Sequence, residues 1–306
     1  MYRWIAVVLA GAVLLLAAGC GESDDDTAPA ESAATGESAK TDAATQFETI
    51  EPGVLKAATE LGFPPLRVEE NGEYSGMELD LVEIIAERLG FKEVEFINTT
   101  FDTVFTGLAA NKWDMVADAT FGWADESSPS LEVVNERTEI VSFTRPWFFP
   151  TYVLLSSEKH NPGLMTPDQL KEGMRVSAQK GGSDFFWAEK ELAPAGIKVV
   201  PRRNLAESLP TILSGSLDAT IEDLSIALAQ KKDHPELQTG ERIPPISSAG
   251  YAFAFAPEGE KLRAAFDAEL GKLVESGEYE KMFKQYFPEL PMQELPDNAF
   301  VHESAG

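Results

Sequence analysis

Leu108-Ala109-Ala110-Asn111-Lys112-Trp113-Asp114-Met115-Val116-Ala117-Asp118 is echoed later in the chain by Ile212-Leu213-Ser214-Gly215-Ser216-Leu217-Asp218-Ala219-Thr220-Ile221-Glu222. Each stretch ends a helix, makes a tight turn, places an Asp and then runs as an apolar strand closing on an acid. Working outward, Val54 to Ala58 reads as a strand, and Gly76 to Gly90 as a helix with Leu79, Val82, Ile85 and Leu89 on one face and a glycine to stop it. Val94 to Ile97 is the next strand, Asp102 to Asn111 a helix and Met115 to Ala119 a strand. The same alternation returns as strands over 174–179, 197–200 and 218–222, with helices over 183–192 and 205–214. Strands alternating with helices of this length imply right-handed crossovers and mostly parallel sheets, so two α/β units lie in tandem. In open parallel sheets ligands sit beyond the carboxyl ends of the strands. Residues 118–121 and 222–223 are therefore expected to point into one crevice.

The composition narrows the function classes. The chain has 306 residues, 25 Lys+Arg against 51 Asp+Glu, a net charge of −26, 43% hydrophobic residues, three His and one Cys. That charge repels phosphate backbones, which excludes nucleic-acid binding through a basic face. One cysteine closes no intramolecular disulfide, the three His supply no Cys/His zinc set, and no GxGxxG or Walker pattern occurs, so neither metal nor cofactor is expected. The apolar run from Ile5 to Ala18 follows Arg3 and is shorter than the ~20 residues that span a bilayer, so residues 1–19 read as a signal peptide. Leu16-Ala17-Ala18-Gly19-Cys20 resembles the lipobox of bacterial lipoproteins, with Ala17 where Leu, Val or Ile is usual. Cys20 is the expected lipidation site, the alternative being a plain secretory signal. From Glu22 to Pro52, nine acids stand against the single base Lys40, and Phe47 is the only aromatic residue. Residues 20–52 are expected to be the lipidated cysteine and a solvated tether, since such a stretch buries too little apolar surface to offset its ordering entropy.

From Gly53 to Phe287 the chain resembles the extracytoplasmic solute-binding proteins of polar amino-acid ABC transporters. The resemblance is carried by Phe63-Pro64-Pro65, Gly76-Met77-Glu78-Leu79-Asp80-Leu81, Arg137 six residues before Phe143-Thr144, Gln179-Lys180-Gly181-Gly182-Ser183, Asp218 to Asp223, and Gly277 to Phe287. It implies a two-lobed α/β flytrap of the type II periplasmic-binding-protein kind, with mostly parallel sheets and two hinge crossings. Lobe I is expected over 53–149 and 250–290, the hinge strands and lobe II over 150–249, and a loosely held tail over 291–306. The implied partners are a small zwitterionic ligand, a membrane permease and, through it, an ATPase, with the protein monomeric, lipid-anchored and extracytoplasmic or periplasmic.

The resemblance also assigns residues. Arg137 would pair the ligand's α-carboxylate, because a guanidinium fork matches a carboxylate bidentately; otherwise it is a surface ion pair with Glu136 or Glu139. Gly182 and Ser183 would add donors to that carboxylate. Asp223 would accept the α-ammonium, cap the helix after it, or do both. Phe63 and Phe101 would pack on the ligand's side chain, Glu60 stands where binders of basic amino acids carry an acid, and Asp118, Ala119 and Phe121 complete the wall. Acids beside aromatic faces suit a cation, so a polar or cationic ligand is expected, with ectoine as a variant; alternatively Phe121 is core and Asp118 is paired internally. The stretch from Trp123 to Val134 is longer than the family's usual connection and is either a lid over the ligand, with Trp123 touching it, or a plain surface loop. An enzyme resembling cyclohexadienyl dehydratase, with Glu60, Asp118 or Glu222 as the acid, is the disfavoured alternative, since Arg137 and Asp223 already satisfy an amino acid without chemistry.

Overall fold

A computed structural model of the chain describes residues 46–297 apart from 127 and 129. The segments expected to be the signal peptide, Cys20 and most of the tether, together with residues 298–306, lie outside the described residues.

The chain alternates as its periodicity predicts. β1 (Val54–Thr59) leads through the hairpin β2 (Val68–Glu70) and β3 (Glu73–Ser75) to α1 (Met77–Arg88), β4 (Glu93–Asn98), α2 (Val104–Ala109) and β5 (Met115–Ala124). Then come α3 (Leu131–Thr138), β6 (Ser142–Phe143), β7 (Tyr152–Ser157), β8 (Arg175–Gln179), α4 (Ser183–Trp187), β9 (Lys198–Arg202) and α5 (Leu205–Leu213). The last elements are β10 (Ala219–Asp223), α6 (Leu224–Asp233), β11 (Leu237–Thr239), β12 (Ala249–Phe255), α7 (Glu260–Glu275) and α8 (Glu278–Tyr286). Three elements differ from expectation. The helix expected over 102–111 opens as a 3₁₀ turn at Phe101–Thr103. The one expected over 183–192 widens into a π turn at Ala188–Leu192, and β5 runs five residues past Ala119.

Two five-stranded sheets share one plan. The first has the order β4-β1-β5-β12-β6 and the second, read from its other edge, β9-β8-β10-β7-β11. In each, three neighbouring strands are parallel (β4, β1, β5; β9, β8, β10), and the fourth, β12 or β7, runs antiparallel to both its neighbours. The two echoing segments thus become β5 and β10, each beside the antiparallel strand of its own sheet. The chain passes between the sheets twice, from β6 to β7 and from β11 to β12, giving the two-lobed α/β architecture with mixed, mostly parallel sheets.

Each sheet buries its apolar face under its own helices. Leu81, Val82 and Ile85 of α1 are fully buried in the core of the first, and Val176, Ala178, Ala219 and Ile221 carry that of the second. Gly76 admits α1 to its place: its φ is 129°, and a Cβ there would lie 2.2 Å from the carbonyl oxygen of Leu66. Where the chain passes between the sheets, Trp147 stacks on Phe253 at 5.7 Å and Phe148 meets Phe283 and Phe287 at 6.2 and 5.1 Å. The Tyr279 hydroxyl donates to the Trp147 carbonyl. The Gly277 to Phe287 segment therefore anchors the crossing. The residues after Leu290, expected to be loose, are held as far as Gln293, whose side chain accepts from Phe149 N at 2.8 Å and donates to Phe149 O at 2.6 Å.

Candidate functional site

The carboxyl ends of the parallel strands from both sheets face one cleft of about 490 Å³. Its shape depends on a fault in β5. Thr120 pairs with Ala252 and Val116 with Ala254, so three residues of β5 oppose only Phe253. Ala119 sits in that bulge with φ of 42°. A bulge of this kind costs ladder bonds and re-aims side chains; here Asp118, Ala119 and Phe121 all reach the cleft wall. The freed Ala119 N–H donates to Glu78 of α1 at 2.9 Å. Glu78 is wholly buried, and burial raises its carboxyl above the usual range while Arg67 works against the shift.

Arg67 ties this corner together. Its Nη1 donates to Asp118 Oδ1, its Nε lies 3.5 Å from Glu78 Oε2, and its guanidinium lies over the Phe63 ring with Cζ 4.7 Å from the centroid. Asp118 Oδ1 also accepts the Glu60 N–H at 3.0 Å. Of the two readings of Asp118, internal pairing is the one observed, with Oδ2 left buried and without a hydrogen-bond partner.

Arg137 is carried by α3, the helix into which the long connection after β5 folds. It is 8% exposed, so the surface ion pair is excluded, and among the described residues no carboxylate lies within salt-bridge reach. Its Nη1 donates to Phe121 O at 3.1 Å, and its Cζ lies 5.6 and 5.5 Å from the Phe101 and Phe105 rings. Burial lowers its pKa to about 10. An enclosed cation with one carbonyl acceptor is an incomplete arrangement, costing several kcal/mol unless an anion joins it. Trp123, which one of the two readings put in a lid, meets Phe149 edge-on at 5.3 Å, outside the cleft lining.

The second sheet supplies the facing wall. Gly182 and Ser183 stand where β8 passes into α4, and a Cβ on Gly182 would lie 2.3 Å from Asp184 Oδ1, so the turn admits no side chain there. Ser183 Oγ is buried without a hydrogen-bond partner. Arg202, at the end of β9, donates through Nη2 to Glu222 at 2.9 Å and to Ile221 O at 2.9 Å, while its Nη1 is buried and unpartnered. Burial raises the Glu222 carboxyl, with Arg202 pulling it back. Asp223 follows the lining residue Glu222: its Oδ1 accepts Ser225 N at 2.7 Å as the cap of α6, and its Oδ2 is buried without a hydrogen-bond partner. Burial raises its pKa to about 6, against the pull of the Ser225 hydrogen bonds. Tyr152 and Tyr251 close the floor with hydroxyls 3.0 Å apart, and Phe121 stacks on Tyr251 at 5.3 Å.

Of the ten residues singled out in the sequence, Phe63, Phe101, Asp118, Ala119, Phe121, Arg137, Gly182 and Ser183 line this cleft, and Asp223 is buried next to the lining residue Glu222. Glu60 is displaced from the lining: its Oε2 accepts from Phe101 N at 3.2 Å and from Gln179 Nε2 at 3.1 Å. Glu60, Asp118 and Glu222, the acids an elimination would need, are each engaged by a neighbour. Sequence reasoning missed Arg67, Gln179, Asp184 and Arg202 in the lining, and the tyrosines Tyr152 and Tyr251. The strand-end rule applied to β9 points to Arg202, but nothing local marks Arg67.

Comparison with known proteins follows the same lines. A probable histidine-binding protein of Neisseria gonorrhoeae is 24% identical over 290 residues, which is 94% of this chain and 96% of that protein. A probable amino-acid ABC transporter-binding protein of Haemophilus influenzae is 29% identical over 240 residues, 76% of this chain and 84% of its own length. An ancestral arginine-binding protein solved with arginine bound has a TM-score of 0.67 at 28% identity, over 77% of this chain and 98% of that one. The bacterial extracellular solute-binding proteins, family 3, match from residue 55 to residue 289, a span that takes in both sheets and every wall of the cleft, and the chain belongs to that family.

Proposed function

We propose that this protein is the substrate-binding component of an ABC importer, closing two lobes on a free amino acid with a polar side chain and handing it to a membrane permease and, through it, an ATPase. The observation that carries this reading is Arg137, buried against Phe101 and Phe105 at the cleft without a carboxylate of its own. In this reading Arg137, with Gly182 and Ser183, takes the ligand's α-carboxylate, and Asp223 Oδ2 takes the α-ammonium. Phe63, Phe101, Phe121 and Ala119 shape the space for the side chain. The names of the relatives, which include histidine, arginine and unspecified amino acids as ligands, agree with that class.

Lobe I comprises 53–149 and 250–290 and lobe II 150–249, with the crossings as hinges whose few backbone dihedrals absorb the closure. Cys20 is the lipid anchor, and the acidic stretch after it is the tether that holds the lobes off the membrane. A thermal-shift panel of the common amino acids tests the assignment. A ligand at a hundred times its Kd stabilises by about 2.7 kcal/mol, so at least one amino acid is expected to raise the melting temperature by roughly 5–10 °C. No shift with any amino acid, alongside a shift with a sugar or a simple dicarboxylate, would refute it.

A further inference from the structure

The charges bordering the cleft are already paired in a way that constrains the ligand's side chain, an argument that rests on the amino-acid reading above. Arg67, Glu78 and Asp118 are each no more than 2% exposed. The Arg67 guanidinium touches both acids and covers Phe63. It thereby occupies, on the protein's own chain, a place beside acids and an aromatic face, the setting that holds a cationic side chain. Across the cleft Arg202 pairs with Glu222 at 2.9 Å. Asp184, the remaining acid on the wall, accepts the Gln179 N–H at 2.7 Å and backbone donors at the start of α4.

We infer that the bound amino acid carries an uncharged side chain able both to donate and to accept hydrogen bonds, and that Arg67 sets this preference by standing in for a ligand cation. With such a ligand each arginine of the wall has an anionic partner and the ammonium has one too: the ligand carboxylate with Arg137, the ammonium with Asp223, Arg67 with Asp118 and, behind it, Glu78, and Arg202 with Glu222. A lysine or arginine ligand would bring a further cation into a space bordered by the Arg67 and Arg202 guanidiniums, beside acids that those two already engage. Besides Ser183 Oγ and Arg67 Nε, two buried atoms on the wall have no hydrogen-bond partner among the described residues, Asp118 Oδ2 and Arg202 Nη1. One accepts and the other donates, which a primary carboxamide or a neutral imidazole can answer.

Isothermal titration of the purified protein with glutamine, asparagine, histidine at pH 8, arginine, lysine, ornithine and glutamate tests this. The tightest ligand is expected among the first three, at least tenfold tighter than any of the cations or glutamate. Arg67→Gln frees Asp118 and is expected to strengthen arginine or lysine binding at least tenfold, whereas Asp118→Asn frees Arg67 and is expected to favour glutamate. Arginine, lysine or ornithine binding tighter than every uncharged amino acid overturns the inference, as do two folded variants that leave the ranking unchanged. If the variants do not fold, the wild-type ranking decides alone. Failure of every amino acid to bind removes the proposed function and this inference with it, a different result from a reversed ranking.

Discussion

Gln179, at the end of β8, donates through Nε2 to Glu60 Oε2, just beyond β1, at 3.1 Å. This bond joins the two sheets across the cleft, and Lys180 repeats the crossing next door with Asp102 at 3.1 Å. The Lys180 pair is exposed and worth little by itself. The Gln179 bond ends on a carboxylate that burial pushes above its usual pKa. In the proposed closure, such contacts exist only when the lobes are together, so they would add to the free energy of closing on a ligand.

Gln179→Ala is therefore expected to weaken ligand binding by about 1 kcal/mol, roughly fivefold in Kd, with little change in the melting temperature of the ligand-free protein. Calorimetry on the variant checks this; an unchanged Kd would show that the bridge contributes nothing to capture.

The Asp223 carboxyl, raised by burial to a pKa of about 6, makes binding depend on pH. An acid whose folded-state pKa lies above its unfolded value contributes stability below the unfolded value and loses it as pH rises through about 6. The ligand's ammonium needs the ionised form, so binding below pH 6 must expel a proton. Affinity is expected to fall up to about tenfold between pH 7 and pH 5, and titrations in buffers of different ionisation enthalpy should register the proton released. A flat profile from pH 7 to pH 5 would remove Asp223 from the ammonium site.

Gln293 grips both the N–H and the carbonyl of Phe149 at a chain crossing. Replacing it with Ala removes two hydrogen bonds and is expected to cost about 1–2 kcal/mol, seen as a lower urea midpoint. A midpoint within error of the wild type would mean that this strap does not contribute to stability.

Local signals were legible and long-range pairings were not. The helical stripe of Leu79, Val82 and Ile85 and the strand ending at Glu222 are written in neighbouring residues, so α1 and β10 were predictable, and the echo between 108–118 and 212–222 anticipated two sheets of one plan. The bulge at Ala119 is different, because it depends on how β5 lies against β12, more than a hundred residues away. Arg67 lies 51 residues from its partner Asp118, and a lone Arg in a loop carries no mark of that pairing. Nor does the sequence mark that one Asp118 oxygen is taken by Arg67 and that Glu60 is turned to Gln179.

The central claim is that Arg137 holds the carboxylate of an amino acid, and titrating the best ligand into wild type and Arg137→Met side by side tests it most directly. Met keeps much of the side chain's length and removes a buried cation that has no carboxylate partner, so the ligand-free variant is expected to be at least as stable as the wild type. Loss of a charge-assisted, bidentate contact is expected to weaken binding at least a hundredfold, about 3 kcal/mol. A folded Arg137→Met protein that binds an amino acid as tightly as the wild type would contradict the account.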